Sequence, residues 1–165
     1  MAIGAAKDVQ LITYALGSCI GLTAYDPVAR LGGMLHFMLP EADNATMQPD
    51  DNDLMYAATG IPKLVDSMVA RGAQEQRLIL CASGGARTLA AGRQMSIGEG
   101  NRSKMLQVLE SMGLHLLAED TRGSVAAFRF SGEEAWETHL ASLIAQGVTI
   151  GDVDGDGRME VVVGT

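Results

Sequence analysis

The sequence predicts an α+β fold in which antiparallel strands dominate. Apolar and β-branched runs of strand length outnumber helical patterns. The first three of these runs follow one another with no helix between them, which argues against a doubly wound parallel sheet.

Residues 9–16 read as the first strand, and Gly17-Ser18 interrupts the run. Residues 19–25 read as the second strand and 31–39 as the returning third, around the turn signal Asp26-Pro27-Val28-Ala29. An acidic, Pro-containing loop follows at 40–53. Residues 53–71 then place Leu54, Ala57, Ala58, Ile61, Leu64, Val65, Met68 and Val69 at helical spacing, with Gly60 and Pro62 expected to kink or split the helix. A buried strand is expected over 76–82, a tight turn at 83–86 and a second helix over 103–112 ended by Gly113. Residues 115–120 and 124–130 read as a hairpin, and 132–146 as a third helix. Two last strands, 148–153 and 159–163, flank an Asp/Gly turn.

The 165 residues suit a single domain, and the scarcity of aromatics (4%) leaves Leu, Ile, Val, Met and Ala to fill the core. The ten Met read as flexible filler. A net charge of −8 without any basic run argues against nucleic-acid binding. No apolar run nears the roughly 20 residues of a membrane span, and the first seven residues are too weakly apolar for a signal peptide. A cytoplasmic protein with reduced thiols is expected, since two cysteines are too few for a disulfide scaffold.

The chemistry starts from hairpin register. With residues 26–29 as the loop, Tyr25 faces Arg30, Thr23 faces Gly32, Gly21 faces Met34, and Cys19 faces His36. Directly opposed side chains have Cβ atoms about 4.5–5.5 Å apart, close enough for a thiol and an imidazole to share a proton. The face carrying Ile20, Leu22, Ala24, Leu31, Gly33 and Leu35 is the more apolar and should meet the core. The Cys19/His36 face has small residues that leave room for a substrate. An imidazole that takes the thiol proton makes a nucleophile and then an acid for the leaving group. Backbone N–H groups where Gly17-Ser18 bends the chain could bind the developing oxyanion. Cys81, in an apolar run, reads as a core residue.

Three blocks carry a resemblance: Thr13-Tyr14-Ala15-Leu16-Gly17-Ser18-Cys19, Tyr25-Asp26-Pro27-Val28-Ala29, and Gly32-Gly33-Met34-Leu35-His36-Phe37-Met38-Leu39-Pro40. Together with Gly84-Gly85-Ala86 and Ile97-Gly98-Glu99 followed by Asn101, they resemble the chemoreceptor glutamine deamidase (CheD) family over roughly residues 8–123. The resemblance implies a hydrolase that converts glutamine side chains of methyl-accepting chemoreceptors to glutamate, some members also cleaving glutamyl methyl esters. It implies Cys19 as nucleophile, His36 as base and acid, and Thr13 as the residue that orients the imidazole. It further implies layered mixed and antiparallel sheets, a β-sandwich-like core flanked by helices, as in the deamidase domain of cytotoxic necrotizing factor toxins. Chemoreceptor cytoplasmic domains are the implied partners, with a CheC-type phosphatase as a further one. Ser83 and Gly100 depart from the family pattern, and residues 131–165 read as a divergent extension of the single 1–165 domain.

That extension holds Asp152-Val153-Asp154-Gly155-Asp156-Gly157-Arg158-Met159-Glu160. Alternating carboxylates at Asp152, Asp154 and Asp156, with Glu160 at the ninth position, can converge on Ca2+. The twelfth position is Val163, so the bidentate glutamate of an EF-hand is missing, and an acidic hairpin turn is the other reading. For the chain as a whole, the alternative to an enzyme is an adaptor that regulates a phosphatase or a receptor by binding alone.

Overall fold

A computed structural model describes residues 1–5, 10–14, 16–42, 52–86, 97–121, 124–128, 134–139, 149–151 and 160–162. Its strands are β1 (Ala2–Gly4), β2 (Ile20–Asp26), β3 (Leu31–Phe37), β4 (Ile79–Gly84), β5 (Leu116–Thr121), β6 (Ser124–Phe128), β7 (Glu134–His139), β8 (Thr149–Gly151) and β9 (Glu160–Val162). Its helices are α1 (Ala57–Val69) and α2 (Ile97–Ser111). Seven strands form one mixed sheet in the order β1-β3-β2-β4-β5-β6-β7. The parallel pair is β4–β5, joined through α2, and the other neighbours run antiparallel. The class is therefore α+β.

The core lies between one face of this sheet and the two helices. Ile20, Leu22 and Ala24 of β2, Leu31, Leu35 and Phe37 of β3, and Leu80 and Ala82 of β4 form one buried cluster with Ile61, Leu64, Val65 and Met68 of α1 and Met105 and Leu109 of α2. This is the apolar face expected from strand alternation. Met68 and Met105 act as core filler, as their flexible thioethers allow. The expected sandwich of two sheet layers is not what encloses this core, because helices cover the apolar face. Among the described residues, no helix is long and apolar enough to cross a membrane.

Several elements differ from the sequence reading. Residues 10–14 make no ladder, and the edge strand beside β3 is β1 instead, with Ile3 opposite Gly33. Helix α1 runs on through Gly60 and Pro62, and the division falls at Tyr56, between a 3₁₀ turn at Asp53–Met55 and the helix. Pro62 removes one backbone donor, and burial of Ile61, Leu64, Val65 and Met68 against the sheet outweighs that loss. The first helical donors are met from β3's exit: Ala57 N–H donates to Leu39 O (2.9 Å) and Ala58 N–H to Pro40 O (3.0 Å). Ser83 and Gly84 extend β4 rather than forming a turn. The third helix is absent where it can be judged: Glu134–His139 is β7, paired with β6. Its exposed Ala135, Trp136, Glu137 and Thr138 suit an outer strand, and pairing with β6 overrides local helical periodicity.

The hairpin β2–β3 sets the geometry of the site, and one side chain sets the hairpin. Asp26 is fully buried at the end of β2. Its Oδ1 accepts the N–H groups of Val28 (2.9 Å) and Ala29 (3.0 Å), and its Oδ2 accepts that of Gln74 (2.8 Å). Arg77 Nη2 completes a charged bond to Oδ2 at 2.7 Å. Asp26 is thereby held in the ladder opposite Leu31, so the loop is 27–30 rather than 26–29, with Arg30 left-handed (φ 51°). Every pairing shifts by two residues from the sequence-based register. Gly21, not Cys19, stands opposite His36.

The Arg77 guanidinium holds the Asp26 carboxyl well below the usual carboxylate range, with the three backbone donors assisting. A depressed folded-state pKa contributes stability above the unfolded value of about 4, and that contribution is lost as pH falls through the folded value. Asp26→Asn is expected to lower Tm by several degrees at pH 7. The gap from wild type should narrow steadily in melts taken below pH 4, and a gap independent of pH would contradict the assignment.

Candidate active site

The sheet face turned away from the helices carries the polar and small residues. Across four strands, His36 of β3 stands opposite Gly21 of β2, Gly21 opposite Ser83 of β4, and Ser83 opposite Asp120 of β5. Gly21 offers no side chain, and the segment before β2 packs onto the gap. Thr13 Cγ2 and Leu16 Cδ1 would each lie 3.4 Å from a Cβ at that position. Leu11 and Thr13 are half-buried, whereas Ile12 and Tyr14 are exposed, so alternation turns Thr13 inward. Its Oγ1 lies 2.9 Å from His36 Nδ1. When Nδ1 carries the ring proton it donates to Thr13 Oγ1, and Nε2 is left with its lone pair.

Cys19 closes a turn directly ahead of β2. Its N–H donates to Leu16 O (2.6 Å), and Gly17 takes the left-handed conformation the turn requires (φ 47°). The turn is tied to the segment after β4: Gly85 N–H donates to Cys19 O (2.8 Å) and Ala86 N–H to Gly17 O (2.8 Å). Gly84 is strictly required there, with φ 107° and a position where a Cβ would fall 2.2 Å from Cys19 O. The β2–β3 ladder begins at Ile20 opposite Phe37, one residue past Cys19; a ladder continued by that one residue would put Cys19 on His36's face and diagonal to it. Such diagonal pairs have Cβ atoms no more than about 7–8 Å apart. A register shift of one residue inverts the faces of a strand, whereas a shift of two keeps them.

Partial burial pushes the Cys19 thiol up, and its own backbone N–H pulls weakly the other way. The resting sulfur is therefore a thiol, and a base is needed to make it a nucleophile. Cys81, expected in the core, instead lies on the site face. It lines a cavity of about 40 Å³ with Gly21, Thr23, Ser83 and Ala118, and burial raises its thiol to about 11. A larger cavity of about 210 Å³ opens at the far end of β4 and β5, around Glu75, Leu78, Leu114 and Leu116, away from Thr13, Cys19 and His36.

Sequence reasoning missed two residues. Asn101 of α2 is fully buried, and its Nδ2 donates to Ser18 O (2.9 Å) and Met38 O (2.9 Å). Asn101 stood ahead of the expected 103–112 helix, and its place among the residues that carry the resemblance was the available signal. Asp120 is buried in the same cross-strand row as His36, and burial raises its carboxyl to about 6. Asp152, Asp154 and Asp156 lie outside the described residues. Glu160 opens β9 opposite Gly151 of β8, close to the expected hairpin.

Asp120 is ionised in both folded and unfolded states above about pH 6, where its buried charge destabilises the fold, and neutral in both below about pH 4. Asp120→Asn is expected to raise Tm at pH 8 and to leave it unchanged at pH 3.5. Equal melting temperatures at pH 8 would contradict the assignment.

Comparison with known proteins agrees with this frame. Residues 38–127, just over half of the chain, match the family model described as CheD chemotactic sensory transduction. That match begins two residues past His36, so Thr13, Cys19 and His36 precede it. A Solibacter usitatus protein named "Probable chemoreceptor glutamine deamidase CheD" is 43% identical over 122 residues, spanning 74% of this chain and 72% of that protein. Proteins of the same name from Caldanaerobacter subterraneus and Moorella thermoacetica are 38% and 37% identical, covering 69% and 70% of this chain and 71% and 70% of their own lengths. The chain belongs to the CheD family.

Proposed function

We propose that the chain is a chemoreceptor glutamine deamidase in which Cys19 is the nucleophile, His36 the base and acid, and Thr13 the group that orients the imidazole. The observation that supports the reading is the 2.9 Å contact between Thr13 Oγ1 and His36 Nδ1. His36 Nε2 takes the thiol proton as Cys19 Sγ attacks the glutamine side-chain carbonyl. The C–N bond breaks as the imidazolium returns the proton to nitrogen, and ammonia leaves. Water, deprotonated by His36, then hydrolyses the thioester to glutamate and free thiol. The Cys19 N–H already serves Leu16 O, so the Gly17 and Ser18 N–H groups are assigned to the oxyanion, where one donor contributes about 3–4 kcal/mol.

The proposal includes a cytoplasmic location, receptor cytoplasmic domains as substrate and a CheC-type phosphatase as a second partner. It also includes one domain over residues 1–165 with a toxin-deamidase-like fold. These rest on the sequence resemblance and on the family. The names of the relatives support the activity.

Cys19→Ala should remain folded and lose at least about a thousandfold in deamidation, as removal of a covalent nucleophile does. The readout is mass spectrometry of a receptor cytoplasmic fragment, following the one-unit gain at glutamine. Undiminished conversion would end the assignment of Cys19 as nucleophile, and no conversion by the wild type would leave the adaptor.

We further propose Ca2+ at Asp152, Asp154, Asp156 and Glu160, on the carboxylate spacing alone. Added Ca2+ should raise Tm and a chelator reverse it. A melt unchanged by either would leave the acidic hairpin turn.

A further inference from the structure

The site described above depends on two separate pieces of chain, and a third piece joins them. Ser18 directly precedes Cys19, and Met38 lies two residues after His36. Asn101 Nδ2 bonds both of their carbonyl oxygens, at 2.9 Å each, from a fully buried position. Both protons of the amide are thereby engaged. Its Oδ1 is buried with no hydrogen-bond partner. A side chain kept there for packing alone would not need that uncompensated oxygen, because a Leu of similar size would avoid it.

The helix that presents Asn101 is anchored by other contacts. A Cβ at Gly98 would lie 2.4 Å from Gly85 O, so the first turn of α2 rests directly on the segment bonded to Cys19. Arg102 pairs with Glu119 of β5, and Lys104 with Glu41 at 2.7 Å. The seat of α2 therefore survives loss of the Asn101 bonds. What is lost is the link between the thiol's turn and the imidazole's strand, whose freed carbonyls would then be satisfied separately.

We propose that Asn101 is a positioning residue that fixes the separation of Cys19 from His36. The inference rests on the Cys19–His36 reading. Its force comes from the steep dependence of proton transfer and attack on geometry, where a misplacement of about 1 Å can cost on the order of a hundredfold.

The test uses Asn101→Leu and Asn101→Ser in the full chain. Deamidation of a receptor fragment should fall at least roughly tenfold in kcat with KM held within about twofold. Iodoacetamide alkylation of Cys19 at neutral pH, located by mass spectrometry and read without any receptor, should drop to the rate seen in His36→Ala. Combining Asn101→Leu with His36→Ala should produce no further drop, since both remove the same coupling. Wild-type kcat and alkylation in a folded variant would overturn the proposal. So would failure of both variants to fold, which would make Asn101 a residue of the fold alone. If Cys19→Ala leaves deamidation intact, the parent reading falls, and the alkylation arm judges the clamp by itself.

Discussion

The buried carboxylate of Asp26 is the constraint on which the rest of the structure depends. Two turn N–H groups, the Gln74 N–H and the Arg77 guanidinium converge on it. Removing such a group from water is tolerable only when every lone pair is met, as it is here. The result is more than local. Holding Asp26 opposite Leu31 dictates all the pairings of β2 with β3, and through them which residue stands under Thr13. An ion pair about five residues along β2 from Gly21 thus decides what the imidazole faces.

The sheet then divides the labour between its faces. The helical side is closed by Ile, Leu, Phe and Met with almost no exposure. The other side carries Gly21, Thr23, Gly32, Cys81 and Ser83 interspersed with its larger residues, too little bulk around Gly21 to fill a layer. Into that deficit comes the 10–14 segment, which joins no ladder but lays Thr13 against His36. The geometry of the site is a consequence of incomplete packing on one side of a well-packed sheet.

Electrostatics shape the chemistry as well. Desolvation favours the neutral thiol of Cys19. In the proposed reaction the imidazole would have to act as a base toward a neutral thiol. That requirement makes orientation decisive, because proton transfer tolerates little misplacement. The Thr13 hydroxyl touches the His36 ring, and the Asn101 amide bonds the carbonyls of Ser18 and Met38.

By itself the sequence determined the α+β class and the apolar face of the β2–β3 hairpin. Those follow from periodicity, and a period of two survives a register error of two. Family motifs pointed to Thr13, whose reach to His36 no local pattern encodes. Only the tertiary structure decided the register itself, because Arg77 and Gln74 lie some fifty residues from the turn they stabilise. It likewise decided that residues 134–139 form a strand, since the pairing edge of β6 outweighs local helical spacing. The role of Asn101 was invisible for the same reason. Its partners, Ser18 and Met38, are 83 and 63 positions away, and hydrogen bonds that join distant segments leave no periodic trace in the chain.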